Sequence, residues 1–213
     1  MILQPVLIRI PIQLEMSMPQ RVQQQRKFAR MALDHCARLS GAPAGPWPQN
    51  PEGAPIPRDG FHWSIAHKPR FAAAVMARDA VGIDIESLTP RGRDLTPAVA
   101  WPEEWEMIGK ARIPDFAIRR RLNWPAFFAI WTAKEATLKA NGKGIGGLKV
   151  CQLARIDQKG RLIMTYLDRE WCTEHFSYGN HVAAVTCSGP SIQWHVIDST
   201  GFVHSANQVT SQS

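Results

Sequence analysis

The chain has 213 residues, of which 45% are hydrophobic and 20% charged, and it carries a formal net charge of +7 with a pI near 9.6. This composition is ordinary for a globular protein with one good-sized domain or two small ones, and no apolar run approaches the roughly 20 residues of a membrane span. The positive charge indicates anionic partners, and nucleic acid, an acidic protein and a phosphorylated cofactor all qualify.

The N-terminus and the cysteines both bear on the compartment of the protein. The segment MILQPVLIRIPIQLEM is broken by two prolines and an arginine and lacks a basic leader, so it predicts a strand and not a signal peptide. The four cysteines form no C-x-x-C pair and suit buried thiols better than a zinc site or a disulfide framework. They are Cys36, Cys151, Cys172 and Cys187. We therefore expect a cytoplasmic protein.

A helix is predicted over residues 21–39, because apolar residues recur there at helical spacing and a Ser-Gly pair follows. Arg26 and Arg30 lie one turn apart on another face of this helix. Basic residues on a helix are usually solvated, but a pair at this spacing can also clamp a phosphate. Residues 41–60 are rich in proline and glycine and predict a loop.

The segment VGIDIE, residues 81–86, follows two predicted strands at 61–65 and 71–77, which flank a turn that contains His67. As a strand it places Asp84 and Glu86 on one face, about 6.5–7 Å apart. Two carboxylates at that distance repel each other unless a cation lies between them, and Mg²⁺ takes carboxylates together with phosphate oxygens and water. A D-x-E pair on a solvent-facing edge strand is the ordinary alternative.

Residues 87–123 are polar and include one predicted helix at 101–112. Arg112 and the cluster Arg119, Arg120 and Arg121 form a basic region that could dock an acidic partner, an effect that salt should weaken. A solvated surface is the alternative for any one of these arginines.

The stretch WPAFFAIWTAKEATLKANGKGIG, residues 124–146, predicts a helix that begins after Asn123 and stops at an Asn-Gly pair. Its apolar stripe carries aromatic residues, yet Lys134, Glu135 and Lys139 project onto the same stripe. Burying an unpaired charge costs several kcal/mol, so these three side chains require counter-charges, a metal or an anionic ligand. A solvated Glu135–Lys139 pair is the alternative.

The rest of the chain predicts further strands, and one of them repeats an earlier segment. A hairpin is predicted over 148–167, strands over 181–187 and 192–197, and a flexible tail over 205–213. HVAAVTC at 181–187 echoes FAAAVMA at 71–77. We therefore predict an α+β fold of two similar halves, residues 1–92 with the D-x-E strand and residues 93–204 with the long helix.

Taken together, VGIDIE and WTAKEATLKANGKGIG resemble the paired signature of the 4'-phosphopantetheinyl transferases, G-[IV]-D-[IV]-E and W-[ST]-x-K-E-[AS]-x-x-K-x-x-G-x-G. The resemblance runs from about residue 61 to 147, and the chain length fits the larger, surfactin-synthetase-activating type and not the small trimeric holo-acyl-carrier-protein synthases. It implies two α+β halves related by a pseudo-twofold, each a small antiparallel sheet packed on a long helix, in a chain that acts as a monomer.

The resemblance also implies a reaction: Mg²⁺-dependent transfer of the phosphopantetheine arm of coenzyme A to a serine of an apo acyl, peptidyl or aryl carrier protein, with release of 3',5'-ADP. Such carriers are acidic and serve fatty-acid, polyketide or non-ribosomal peptide synthesis. No nucleic-acid or membrane partner is expected.

Site residues follow from the same resemblance. The magnesium ligands would be Asp84, Glu86 and Glu135, with Glu135, Lys139 and Asp84 as catalytic residues. The coenzyme would be bound by His67, Lys134, Lys139, Arg26 and Arg30. His67 matches the end of the family's S-x-S-H block, although the second serine of that block is Ala66 in this chain.

Two other functions remain open from the residues themselves. A magnesium-dependent phosphohydrolase would use the same carboxylates with water as the nucleophile. A nucleic-acid-binding protein would explain the pI and the eight tryptophans, but it has no use for three converging acids.

Overall fold

The computed structural model describes residues 2–11, 15–90, 95–110, 124–143, 147–189, 191–198 and, for the backbone, 203–206. The helices are α1 (Met18–Ser40), α2 (Thr96–Val99), α3 (Pro102–Lys110) and α4 (Trp124–Ala140). The strands are β1 (Ile2–Leu3), β2 (Val6–Arg9), β3 (His62–Lys68), β4 (Phe71–Ala77), β5 (Gly82–Ser87), β6 (Gln152–Ile156), β7 (Leu162–Tyr166), β8 (Arg169–Tyr178), β9 (His181–Cys187), β10 (Ser191–Ile192), β11 (Trp194–Ile197) and β12 (Val203–Ala206).

Two five-stranded sheets lie face to face, and one long helix covers each outer surface. The first sheet has the order β12-β11-β2-β4-β3 and the second β5-β9-β8-β7-β6. One apolar cluster fills the space between α1 and the first sheet, a second lies between the sheets, and a third joins the second sheet to α4. The predicted α+β class, with small and largely antiparallel sheets on long helices, is confirmed.

The two sheets exchange strands between the predicted halves. Strand β5 pairs antiparallel with β9 in the second sheet, whereas β11 pairs parallel with β2 in the first. The predicted boundary after residue 92 therefore does not separate the sheets. FAAAVMA and HVAAVTC do form comparable elements, the fully buried strands β4 and β9, while a pseudo-twofold between the halves stays a prediction.

Helix α1 follows β2 in the chain, and residues at its two ends fix where it begins and stops. Pro19 is tolerated in the first turn, and Gln20 accepts a hydrogen bond from the Ser17 amide at 2.8 Å, so the helix begins before the predicted residue 21. Gly41 ends it in the left-handed conformation, with a φ of 65°. The predicted loop that follows, residues 41–60, forms no helix or strand beyond two isolated bridges.

Several predicted boundaries were wrong. Strand β3 continues through His67 and Lys68, which were placed in a turn. Strand β8 was not predicted, because charged residues interrupt the alternation of its buried side chains. The predicted tail begins inside β12, at Ser205 and Ala206. Arg112, the cluster Arg119–Arg121 and residues 207–213 lie outside the described residues.

Gly82, the glycine of VGIDIE, sets how closely α4 approaches β5. A Cβ at this position would lie 1.9 Å from the carbonyl oxygen of Ala136. No side chain fits without moving the helix, and the helix carries three of the predicted site residues, Lys134, Glu135 and Lys139. The close contact between β5 and α4 therefore depends on glycine here.

We expect Gly82→Ala to lower the free energy of unfolding by about 3 kcal/mol, because a backbone atom cannot give way as a side chain can. Urea denaturation followed by tryptophan fluorescence measures the change. Gly109→Ala is the matched control, because nothing lies within 4 Å of a Cβ there and alanine is favoured over glycine in a helix. Equal stability of Gly82→Ala and wild type would contradict the steric argument.

Candidate active site

A cleft of about 890 Å³ opens where α1, the 49–55 loop, the end of β3, β5 and α4 meet. It combines basic and acidic side chains. The basic ones are Arg26, Arg30, His67, Lys68, Lys139 and Lys143, and the acidic ones are Glu52, Asp84, Glu86 and Glu135. Of the predicted site residues, only Lys134 does not line this cleft.

The two carboxylates of β5 face away from the core between the sheets. Ile83 and Ile85 belong to that core, so strand alternation turns Asp84 and Glu86 towards the cleft. Both carboxylates are buried and each meets a lysine: Asp84 Oδ1 accepts from Lys139 Nζ at 2.7 Å. Lys68 Nζ lies 2.8 Å from Glu86 Oε1.

Glu135 completes the acidic group from the α4 side. It is 7% exposed, and its Oε1 has no hydrogen-bond partner among the described residues. Burial, together with the nearby charges of Asp84 and Glu86, raises the pKa of Glu135 to about 7, against the opposing effect of Lys139 and Lys68. A carboxyl group with this pKa exchanges its proton near neutral pH.

His67 lies on the α1 side of the cleft. Its Nδ1 is 2.9 Å from the amide oxygen of Gln25, which can only accept, so Nδ1 carries the hydrogen. Burial lowers the pKa of His67, and the positive charges of Lys139, Arg26 and Lys68 lower it further. A histidine among so many cations is neutral at pH 7 until an anion arrives.

Arg26 and Arg30 also line this part of the cleft. Both are exposed, and Arg30 Nη2 donates to Gln49 Oε1 at 3.1 Å. Both arginines line the same cleft as His67, and the charge of Arg26 acts on the His67 ring.

The assignment of Lys134 to the coenzyme site was wrong. Its side chain is fully buried, and Nζ contacts Glu104 at 2.8 and 3.0 Å and the carbonyl oxygen of Leu148 at 3.1 Å. Glu104 also accepts from the amides of Trp101 and Leu153. Burial lowers the pKa of Lys134, against the opposing effect of Glu104. Lys134 therefore ties α4 to α3 and to the segment before β6, and it does not line the cleft.

Ser64 and Ala66, from the S-x-S-H-like block, face β5. The hydroxyl oxygen of Ser64 accepts a hydrogen bond from the amide of Ile83 at 3.2 Å, which ties β3 to the D-x-E strand. Ala66 packs in the core between the sheets and also lines the cleft. A serine at position 66 would therefore lie at the cleft wall, where this chain offers no hydroxyl.

Lys68, Lys143 and Gln25 line or support the cleft without having been predicted. Lys68 could have been predicted from the sequence, because it follows His67 directly. In a strand through both residues their side chains point to opposite faces, which places Lys68 on the side of β5. Gln25 and Lys143 carried no such signal, since their position depends on how α1 and the end of α4 pack.

The carboxylates of the cleft are the donors available to the predicted Mg²⁺. Within the described ranges, no three or more His, Cys, Asp or Glu side chains are arranged so that they could hold a metal ion without moving. However, Asp84 Oδ2 and Glu135 Oε1 are buried and lack hydrogen-bond partners in the described part of the chain. Orphaned carboxylate oxygens at the wall of a basic cleft suit a hard cation that brings a phosphate with it. These residues fit the ion, which would take over contacts now made by lysines.

The remaining predictions concern cysteines and membranes. All four cysteines are free thiols. None of the helices in the described residues has the length and apolar character that crossing a membrane requires.

Comparison with known proteins identifies relatives. The chain is 33% identical over 98 residues to the 4'-phosphopantetheinyl transferase HetI of Nostoc sp. strain PCC 7120, a match that covers 45% of this chain and 38% of that protein. It is 26% identical over 154 residues to the 4'-phosphopantetheinyl transferase psf-1 of Bacillus pumilus, covering 63% of each. A 4'-phosphopantetheinyl transferase of Bacillus subtilis is 28% identical over 85 residues, 40% of this chain and 35% of that protein.

These matches span less than two thirds of each relative's length. The family model described as the 4'-phosphopantetheinyl transferase superfamily matches residues 80–186, which is half of the chain and includes β5, α4 and β9. The acidic side of the cleft lies in that region, with the D-x-E strand against the helix that carries Glu135, whereas α1, the 49–55 loop and β3 precede it. The chain belongs to the 4'-phosphopantetheinyl transferase superfamily.

Proposed function

We propose that this chain transfers the 4'-phosphopantetheine group of coenzyme A to a serine hydroxyl of an apo carrier protein, releasing 3',5'-ADP, with Mg²⁺ as cofactor. The observation that carries the proposal is one cleft in which three buried carboxylates lie beside a basic wall, with two carboxylate oxygens lacking partners among the described residues. A polyphosphate with a bound divalent cation complements both parts.

The basic wall provides the charge for binding the coenzyme. Arg26, Arg30 and His67 form one end of this wall. Without a ligand, positive charges there repel one another and lower the pKa of His67, and a bound anion attracts all three groups. Lys68 and Lys139 stand between this end and the carboxylates. When a phosphate enters, these two amines can neutralise the charge that develops on the leaving 3',5'-ADP.

The carboxylates Asp84, Glu86 and Glu135 would hold Mg²⁺. Bound there, the ion supplies charge neutralisation across the pyrophosphate. Lys139 already contacts both the Asp84 carboxylate and the carbonyl oxygen of Ile83. It therefore holds the D-x-E strand and α4 at a fixed separation.

Glu135 is the group we assign as the base for the serine proton. The serine oxygen forms a bond to the β-phosphorus of coenzyme A, the bond from that phosphorus to the oxygen of 3',5'-ADP breaks, and the serine proton passes to the Glu135 carboxylate. In the protein without the ion, burial raises the pKa of this carboxyl group to about 7, so it is a stronger base than an exposed glutamate.

The alternatives fit this cleft less well. A nucleic-acid-binding surface gains nothing from buried carboxylates, which repel a phosphodiester. A phosphohydrolase would use the same acids, and the first experiment below separates it from a transferase.

The free cysteines suit the predicted cytoplasm. Whether the carrier serves fatty-acid, polyketide or non-ribosomal peptide synthesis depends on docking contacts beyond this cleft.

The test is intact-mass spectrometry of apo carrier proteins incubated with the protein, coenzyme A and Mg²⁺. We expect the carrier to gain the mass of one phosphopantetheine group, with 3',5'-ADP as the second product, and the gain to disappear with chelator. Cleavage of coenzyme A without any gain on the carrier would establish the phosphohydrolase instead. No gain and no coenzyme binding would overturn the proposal.

Coenzyme A affinity should depend on pH through His67. Its pKa is lowered in the free protein, and a bound phosphate raises it, so binding takes up a proton. The ratio of wild-type affinity to that of His67→Gln should therefore rise as pH falls from about 8 towards the free histidine pKa, below its usual 6.5. Isothermal titration calorimetry measures both proteins.

Taking the ratio at each pH removes the titration of the coenzyme's own phosphate, whose pKa is about 6. The ratio should level off above the pKa of the bound form. A ratio independent of pH would show that His67 does not contact the phosphate.

A further inference from the structure

A second cleft, of about 740 Å³, lies beside the first. Two turns form its walls, the one between β3 and β4 and the one between β8 and β9. Its lining residues include Arg9, Lys68, Arg70, Glu86, Tyr178 and His181. Among the described residues, Lys68 and Glu86 alone line both clefts, so the second cleft reaches the carboxylate group from the other side of the Lys68–Glu86 ion pair.

The second cleft has an excess of positive charge. Strand pairing places Arg9 opposite Phe71, directly beside Arg70, and both arginines are exposed. Among the described residues neither guanidinium forms a salt bridge, and the Glu86 carboxylate is already paired with Lys68. Two cationic groups therefore converge on one opening without a counter-charge in the part of the chain that the structure describes.

His181 adds a buried polar atom to this cleft. The side chain is 7% exposed, its ring packs edge-on against Phe71 at 4.8 Å, and Nδ1 has no hydrogen-bond partner among the described residues. Burial lowers the pKa of His181, and the charge of Arg70 lowers it further. An unpaired ring nitrogen costs free energy that a hydrogen-bonding ligand recovers.

The charge and the location together identify the occupant. The pantetheine arm is uncharged and gains little from two arginines, whereas acidic side chains of a protein complement them. In a phosphoryl transfer the attacking oxygen enters in line with the leaving group, from the opposite side. With the nucleotide bound by Arg26, Arg30 and His67, the opposite side is the one that the second cleft approaches.

We infer that the second cleft docks an acidic segment of the carrier protein, with Arg9 and Arg70 as its main contacts. This inference rests on the proposed function. It adds to that function the surface by which the substrate serine is brought to the carboxylates.

The test compares steady-state kinetics of Arg9→Ala/Arg70→Ala with those of wild type. We expect the KM for the apo carrier to rise about tenfold, as the sum of two exposed ion pairs, and the KM for coenzyme A to stay unchanged. Raising salt should weaken carrier binding by wild type more than by the variant. Lys159→Ala is the control, because it removes one positive charge from the turn between β6 and β7, at the far edge of the second sheet.

Two kinetic outcomes overturn the inference. A rise in the KM for coenzyme A would assign the second cleft to the coenzyme, and unchanged kinetics would mean that no docking occurs there. If wild type transfers nothing, direct carrier binding is measured by calorimetry. Binding that is lost in the double variant would support the docking surface although the proposed function had failed, and absence of binding would remove both.

Discussion

Glu135→Gln is expected to lower the kcat of phosphopantetheine transfer about 10²–10⁴-fold, the usual contribution of a general base. Glutamine keeps the shape of the side chain and removes its ability to accept the serine proton. Because the folded protein raises the pKa of Glu135 to about 7, it disfavours the ionised carboxylate there. Above pH 7 the neutral amide should therefore leave the free energy of unfolding unchanged or slightly higher.

The measurement pairs turnover by intact-mass spectrometry with urea denaturation of the same samples. Glu103→Gln, at an exposed glutamate in the first turn of α3, is the matched control and should keep both activity and stability. A variant that keeps the wild-type rate would remove Glu135 from the mechanism. A variant that fails to fold would contradict the electrostatic argument.

Lys134→Met is expected to lower the free energy of unfolding by about 3–5 kcal/mol, the cost of leaving a buried charge without its partner. The methionine fits the space, but Glu104 keeps a carboxylate that is 4% exposed and loses its counter-ion. The Leu148 carbonyl oxygen loses its lysine donor as well. Urea denaturation followed by tryptophan fluorescence measures the loss.

The double variant Lys134→Met/Glu104→Gln tests the cause. It should be more stable than the sum of the two single effects predicts, because no unpaired charge remains. Under conditions where Lys134→Met is folded, its affinity for coenzyme A should equal that of wild type. A weaker affinity with normal stability would return Lys134 to the coenzyme site.

Lys134 and Glu135 illustrate what could be predicted from the sequence. Both stood out as charges on an aromatic helix, and both are buried. Lys134 meets the expected counter-charge in Glu104, whereas a partner for Glu135 stays a prediction. Their partners could not be assigned, because α4 is buried on nearly every side and lacks a solvent-facing stripe that would orient it. Neighbouring residues on a helix differ by about 100°, which is enough to direct one side chain towards α3 and the next towards β5.

The sequence motifs predicted the residues of the cleft more accurately than hydrophobic periodicity predicted the bounds of the helices and strands. Asp84, Glu86, Glu135, Lys139 and His67 line one cleft, although their chemical roles stay predictions. The second cleft was not predicted, because its residues come from turns far apart in the chain. Their approach depends on two hairpins packing through the contacts of Phe71 with Tyr178 and His181.

The exchange of strands between the sheets has a consequence for synthesis on the ribosome. Strand β5, which carries Asp84 and Glu86, emerges early, but its hydrogen-bonding partner β9 is made about a hundred residues later. The pairing of β2 with β11 likewise cannot form until β11, Trp194–Ile197, has been made. The nascent protein therefore exposes two apolar strand edges until β9 and β11 have been translated. Shielding by a chaperone during that interval should matter more for yield than the stability of the finished fold.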